Sequence, residues 1–107
     1  MSQITTHVLD TARGRPAAGI AVTLERREAA AWSEIGRGAT DSEGRLRALV
    51  PANHTLVAGE YRLTFATQSV SAFFPSVTVH FTVEDPAAHY HVPLLLSPYG
   101  YSTYRGS

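Results

Sequence analysis

Side chains able to do chemistry crowd toward the two ends of this 107-residue chain. Of its five histidines, His7 comes early, His54 and His80 lie in the middle, and His89 and His91 stand two apart near the end. Residues two apart on a strand share one face, a spacing that can chelate a metal. There is no cysteine and no carboxylate at ligand spacing beside that pair, so no metal site is expected. A Ser-His-Asp nucleophile has no glycine-flanked serine elbow to support it. His54 sits beside Asn53 in a loop, and His80 falls on the polar side of a strand; both read as solvated surface residues. The last stretch, His89 to Ser107, carries Tyr90, Tyr99, Tyr101 and Tyr104. A disordered tail should be poor in aromatics, so this one reads as built to pack. It closes on Tyr104-Arg105-Gly106-Ser107, which brings a phenol, a guanidinium, a hydroxyl and a carboxylate to the end of an apolar run.

The segments that must position these groups are short and alternating. Ile4, Thr6 and Val8 point one way and Thr5, His7 and Leu9 the other, as in a strand with two different faces. A Gly-, Pro- and Arg-rich loop from Thr11 to Gly19 precedes a second strand through Ile20, Val22 and Leu24. RREAAA, residues 26–31, is too short to hold a helix alone and reads as a hairpin connection. Trp32–Thr40 reads as an edge strand diluted by Gly36 and Gly38. Asp41-Ser42-Glu43-Gly44 is a turn with glycine where positive φ is wanted, followed by an alternating segment from Arg45 to Val50. Tyr61, Leu63 and Phe65 line one face of a strand. Val77, Val79, Phe81 and Val83 form the cleanest period-two run, and a last strand spans about Ala88 to Leu96. Short strands with turn signals every ten residues or so predict one all-β domain over residues 1–107, an antiparallel β-sandwich of seven to eight strands.

Composition narrows the partners. Nine basic and nine acidic residues give zero formal charge, which points away from nucleic acid and anionic membrane and toward a small molecule. Absence of cysteine suits a reducing compartment. The opening MSQITTHVLD has no basic stretch leading into a long apolar one, and no apolar run approaches membrane-spanning length, so a cytoplasmic chain is expected.

The run YHVPLLLSPYGYSTYRGS, together with Thr6-His7-Val8-Leu9-Asp10, Gly14-Arg15-Pro16-Ala17 and Asp41-Ser42-Glu43-Gly44-Arg45, closely resembles the signatures of 5-hydroxyisourate hydrolases. These form the enzymatic branch of the transthyretin-like family, and the resemblance covers nearly the whole chain. It implies a prealbumin-like sandwich of two four-stranded sheets, hydrolysis of 5-hydroxyisourate in urate degradation, no cofactor, and a homotetramer built as a dimer of dimers. Carried over by position, it implies a substrate site of His7, Arg45, His91, Tyr104, Arg105, Gly106 and Ser107. Without the resemblance, His7 reads as a half-exposed strand residue, Arg45 as a turn-flanking charge and Arg105 as a solvated tail charge. His89 is left as a supporting residue. The residue types suit the reaction: an imidazole near neutrality can take a proton from water, and a guanidinium supplies fixed donors for a carbonyl-rich ring. A departure lies between Phe65 and Phe73, where this chain has only ATQSVSA and the family usually carries a short helix; a short or absent helix is expected in the 66–75 connection. The runner-up is a non-catalytic transthyretin-like carrier of a small aromatic ligand.

Overall fold

The computed structural model describes residues 3–106, and within them the chain forms nine strands and no helix. In order these are β1 (Ile4–Asp10), β2 (Arg15–Pro16), β3 (Ala21–Glu28), β4 (Ala31–Ala39), β5 (Arg45–Leu46), β6 (Gly59–Ala66), β7 (Ser76–Val83), β8 (Tyr90–Ser97) and β9 (Gly100–Thr103). One sheet runs β2-β1-β8-β9, with β5 also pairing β1; the other runs β4-β3-β6-β7.

Alternation decides what fills the space between them. Ile4 and Val8 of β1, Val22 and Leu24 of β3, Leu63 and Phe65 of β6, and Leu94 and Leu96 of β8 are all buried to within 1%. Each such side chain contributes about 1.5–3 kcal/mol when removed from water. Tyr61 and Tyr90 also belong to the core but must satisfy a hydroxyl. Tyr61 donates to the Val57 carbonyl at 2.7 Å, and Tyr90 to the Asp85 carbonyl at 3.1 Å while accepting from the Asp85 amide at 3.0 Å. Both phenols thus pin the loop that leads into their own strand, and the second fixes the approach to His89 and His91.

The antiparallel arrangement expected from short connections holds for every ladder except β1–β8, which is parallel. Those strands come from opposite ends of the chain, so no local crossover is required. Trp32 lies in β4, which is indeed an edge strand. RREAAA is shorter as a connection than its composition suggests: β3 continues to Glu28, and the turn is Ala29-Ala30, with Ala29 at φ 56°. The alternation from Arg45 to Val50 is strand only at Arg45–Leu46, beyond which Ala48 faces solvent and Leu49 turns inward. In the 66–75 connection a single turn replaces a helix, with the Val70 and Ser71 amides both on the Thr67 carbonyl at 3.0 and 2.9 Å. Ser71 ties that turn to the end of β8 by donating to the Pro98 carbonyl at 2.6 Å.

Candidate active site

Register brings the two ends of the sequence together on the outward face of the β1-containing sheet. In the parallel ladder Thr5 pairs with His91 and His7 with Pro93, while across the antiparallel ladder His7 pairs with Arg45. Directly opposed residues share a face, so His7, Arg45 and His91 stand on three adjacent strands and look the same way.

Arg45 owes its place to the turn before it. The Asp41 carboxylate accepts the Glu43 and Arg45 amides at 2.9 and 3.0 Å, and the Gly44 amide donates to the Asp41 carbonyl at 2.9 Å. The Arg45 amide, helped by the Glu43 amide and the Arg47 charge, holds the Asp41 carboxyl below its usual range. Gly44 takes φ 75° and presses on the Val8 carbonyl, where any Cβ would collide. The Val8 amide in turn donates to the Gly44 carbonyl at 2.8 Å, which staples the turn to β1. The Arg45 guanidinium forms no ion pair among the described residues.

The two imidazoles are held differently. His7 Nε2 lies 2.8 Å from the Glu43 carbonyl, and a carbonyl only accepts, so Nε2 carries a proton and the neutral form of the ring has its lone pair on Nδ1. His91 Nδ1 lies 2.8 Å from Thr5 Oγ1, and the same oxygen lies 2.9 Å from His89 Nε2. The His89 and His91 rings are nearly parallel, their planes 24° apart. Burial first, then the charges of Arg45, His89 and His7, push the His91 pKa below the ordinary 6.5, so it stands neutral at pH 7. A neutral His91 and the His7 ring, beside a guanidinium with no ion pair among the described residues, can remove a proton from water and hold developing negative charge.

The tail divides. Gly106 returns to β8, its amide donating to the His91 carbonyl at 2.7 Å, and a Cβ there would come within 2.7 Å of His91 Cδ2. Arg105 instead lies on the other side of β8, its guanidinium carbon 4.4 Å above the Tyr90 ring. With Tyr104, which is 58% exposed, it lines a cleft of about 250 Å³ between β7 and the β8–β9 edge. Of the residues expected at the site, His7, Arg45, His91 and Gly106 are brought together. Tyr104 and Arg105 are not, and Ser107 lies outside the described residues. Thr5 was missed: a threonine in a strand reads as β propensity, and only the register shows it beneath two histidines. His80 is surface-exposed as expected, bonded to Glu60 at 2.8 Å. His54 is not simply solvated, since its Nε2 is buried without a hydrogen-bond partner.

Comparison with known proteins gives a consistent picture. The chain is 46% identical to 5-hydroxyisourate hydrolase of Mesorhizobium japonicum, an alignment covering 98% of this chain and 92% of that protein. The structure of Klebsiella pneumoniae 5-hydroxyisourate hydrolase superposes with a TM-score of 0.80 at 35% identity, covering 97% of this chain and 98% of the other. Sea bream transthyretin in complex with thyroxine superposes with a TM-score of 0.87 at 29% identity, covering 98% and 95%. The model of the HIUase/Transthyretin family matches residues 4–106, and the chain belongs to that family.

Proposed function

We propose that the chain hydrolyses 5-hydroxyisourate to 2-oxo-4-hydroxy-4-carboxy-5-ureidoimidazoline, by attack of a histidine-activated water on a ring carbonyl. The observation that carries this reading is the convergence on one sheet face of His7, His91 and Arg45, which has no ion pair among the described residues. The fold does not separate a hydrolase from a carrier, since both kinds superpose closely. The face does: a carrier of an aromatic ligand has no use for two imidazoles next to a guanidinium that has no ion pair among the described residues. Sequence similarity to hydrolases supports the same side.

In this reading His7 and His91 position and deprotonate the water, and Arg45 holds the ring and its developing oxyanion. No cofactor enters. Gly106 gives the tail a close approach over His91. Tyr104, Arg105 and Ser107 complete the pocket from a tail that leaves the Tyr90 cleft or comes from a neighbouring chain. A cysteine-free chain fits a reducing, cytoplasmic setting, and among the described residues no helix is long and apolar enough to cross a membrane.

The assembly in this reading is a homotetramer. β7 is the edge of its sheet and carries no Asp, Glu, Lys or Arg to guard it, so edge pairing gives a dimer. Two dimers then meet over the face bearing His7 and His91. Four chains of 11.6 kDa make a particle of about 46 kDa whose activity falls on dilution along with its mass. Light scattering that shows a fully active monomer removes the tetramer. The decisive assay for the reaction is the ultraviolet decay of freshly made 5-hydroxyisourate with and without protein. Decay no faster than the spontaneous rate returns the chain to the carrier class.

A further inference from the structure

Thr5 places one hydroxyl between two imidazoles. The residue is 97% buried, and its hydroxyl lies 2.8 Å from His91 Nδ1 and 2.9 Å from His89 Nε2. A hydroxyl carries one hydrogen and two lone pairs, so with both rings neutral it donates to one histidine and accepts from the other. Two arrangements satisfy this. Either His91 Nδ1–H donates to Thr5 and Thr5 donates to His89 Nε2, or the whole chain runs in reverse. The first leaves His91 Nε2 with a free lone pair, the form able to accept a proton; the second leaves His91 protonated at Nε2 and useless as a base. His7 faces no such choice, because its carbonyl partner admits only one tautomer.

We propose that Thr5 is a positioning residue that sets the His91 tautomer and passes the proton taken from water to His89. This rests on the hydrolase reading above. The step balances without a further reactant. Water loses a proton to His91 Nε2 as its oxygen attacks the substrate carbonyl. The Nδ1 proton moves to Thr5 Oγ1, the original Oγ1 proton moves to His89 Nε2, and His91 is neutral again while His89 becomes an imidazolium. His89 is exposed and His91 half-buried, so the charge moves from the site to solvent, where an ion is cheapest to hold. The groups facing His91 favour that direction: Arg45, His7 and His89 all oppose a charge on it.

The test uses three variants of the full chain. Thr5→Val keeps shape and loses the hydroxyl, Thr5→Ser restores it, and His89→Ala removes the acceptor. Nitrogen-15 spectra of wild type, without substrate, should show His91 protonated at Nδ1; in Thr5→Val that preference should vanish, and in Thr5→Ser return. Turnover of 5-hydroxyisourate should fall about tenfold or more in Thr5→Val, part of what a positioned base supplies, and recover in Thr5→Ser. In His89→Ala, turnover should fall and then rise with the concentration of an imidazole buffer, which takes the proton in place of His89. A structural role for Thr5 would not produce buffer rescue. Wild-type tautomer and turnover in Thr5→Val, or a His89→Ala protein as active as wild type in any buffer, overturns the inference. A protein with the expected tautomers that leaves 5-hydroxyisourate untouched instead overturns the hydrolase reading, so the two failures are distinct.

Discussion

The two outer faces of the sandwich use the same residue types to opposite ends. On the β4-β3-β6-β7 sheet, Arg62 meets Glu25 at 2.7 Å and lies 4.4 Å over the Trp32 ring, Arg37 meets Glu34 at 2.6 Å, and His80 meets Glu60 at 2.8 Å. Each of these side chains has a carboxylate partner. On the other sheet, Arg45 has none among the described residues, and His91 leans on a hydroxyl and a neighbouring histidine instead. A paired charge is satisfied and has nothing left for a ligand, whereas a guanidinium without a carboxylate partner is an unfilled demand for an anion. Among the described residues, one face is kept quiet by pairing, and the other, the ready face of the proposed reading, leaves Arg45 without a carboxylate.

The sharpest way to break this comparison is to remove a base from the ready face. His91→Ala and His7→Ala should each lower kcat by on the order of a hundredfold or more, as loss of a positioned acid–base group requires, while melting curves stay near wild type. Arg62→Ala on the quiet face should do the reverse, leaving steady-state turnover unchanged and costing about 1 kcal/mol in denaturant titration. Equal effects of the two kinds of variant on turnover would erase the distinction. A smaller effect is expected from Gly106→Ala, whose added methyl must displace the His91 ring. A displacement near 1 Å costs about tenfold or more in rate, read as a loss in kcat with unfolding little changed.

Acidity tests the same contrast. Because the folded pKa of His91 lies below 6.5, the unfolded chain takes up its proton first as pH falls. The neutral His91 therefore contributes stability that is fully present above pH 6.5 and is lost as pH drops through the folded value. Activity should follow: kcat/KM is level just above pH 6.5 and declines on the acid side as His91 gains its proton. A profile that rises below pH 6.5 would exclude His91 as the base. The mildest change is His80→Gln on the quiet face, which should stay within roughly 0.5 kcal/mol of wild type in a thermal melt.

Much of the sandwich could be read before any coordinate. Period-two runs such as Val77–Val83 and Tyr61–Phe65 mark their strands because one face must be apolar, and Asp41–Gly44 marks its turn because Gly44 alone can take the required φ. What alternation cannot give is the partner of a strand. The β1–β8 ladder is parallel and joins the two ends, and no local signal encodes such a pairing. For that reason Thr5 escaped notice, although it lies on the same face as His7. The β9 hairpin also went unseen, because the short run Gly100–Thr103 after Pro98 is mostly exposed and shows no apolar face. The motif residues split for a related reason: sequence gathers Tyr104, Arg105 and Gly106, but alternate residues of a tail crossing a sheet edge need not end on the same side of it.

The parallel β1–β8 ladder has one more consequence, for the order in which the protein becomes active. Thr5 and His91 are separated by 86 positions, so the pairing that joins them cannot form before β8 has been made. A nascent chain that has emerged only as far as β7 holds every strand of the β4-β3-β6-β7 sheet, whose neighbours lie close in sequence, yet β1 still lacks its central neighbour. Closing so long a loop is entropically costly and tends to come late. In the proposed reading, activity therefore waits for β8: that strand both closes the sandwich and completes the face bearing His7, Arg45 and His91, so a chain terminated before β8 should be inert as well as unstable.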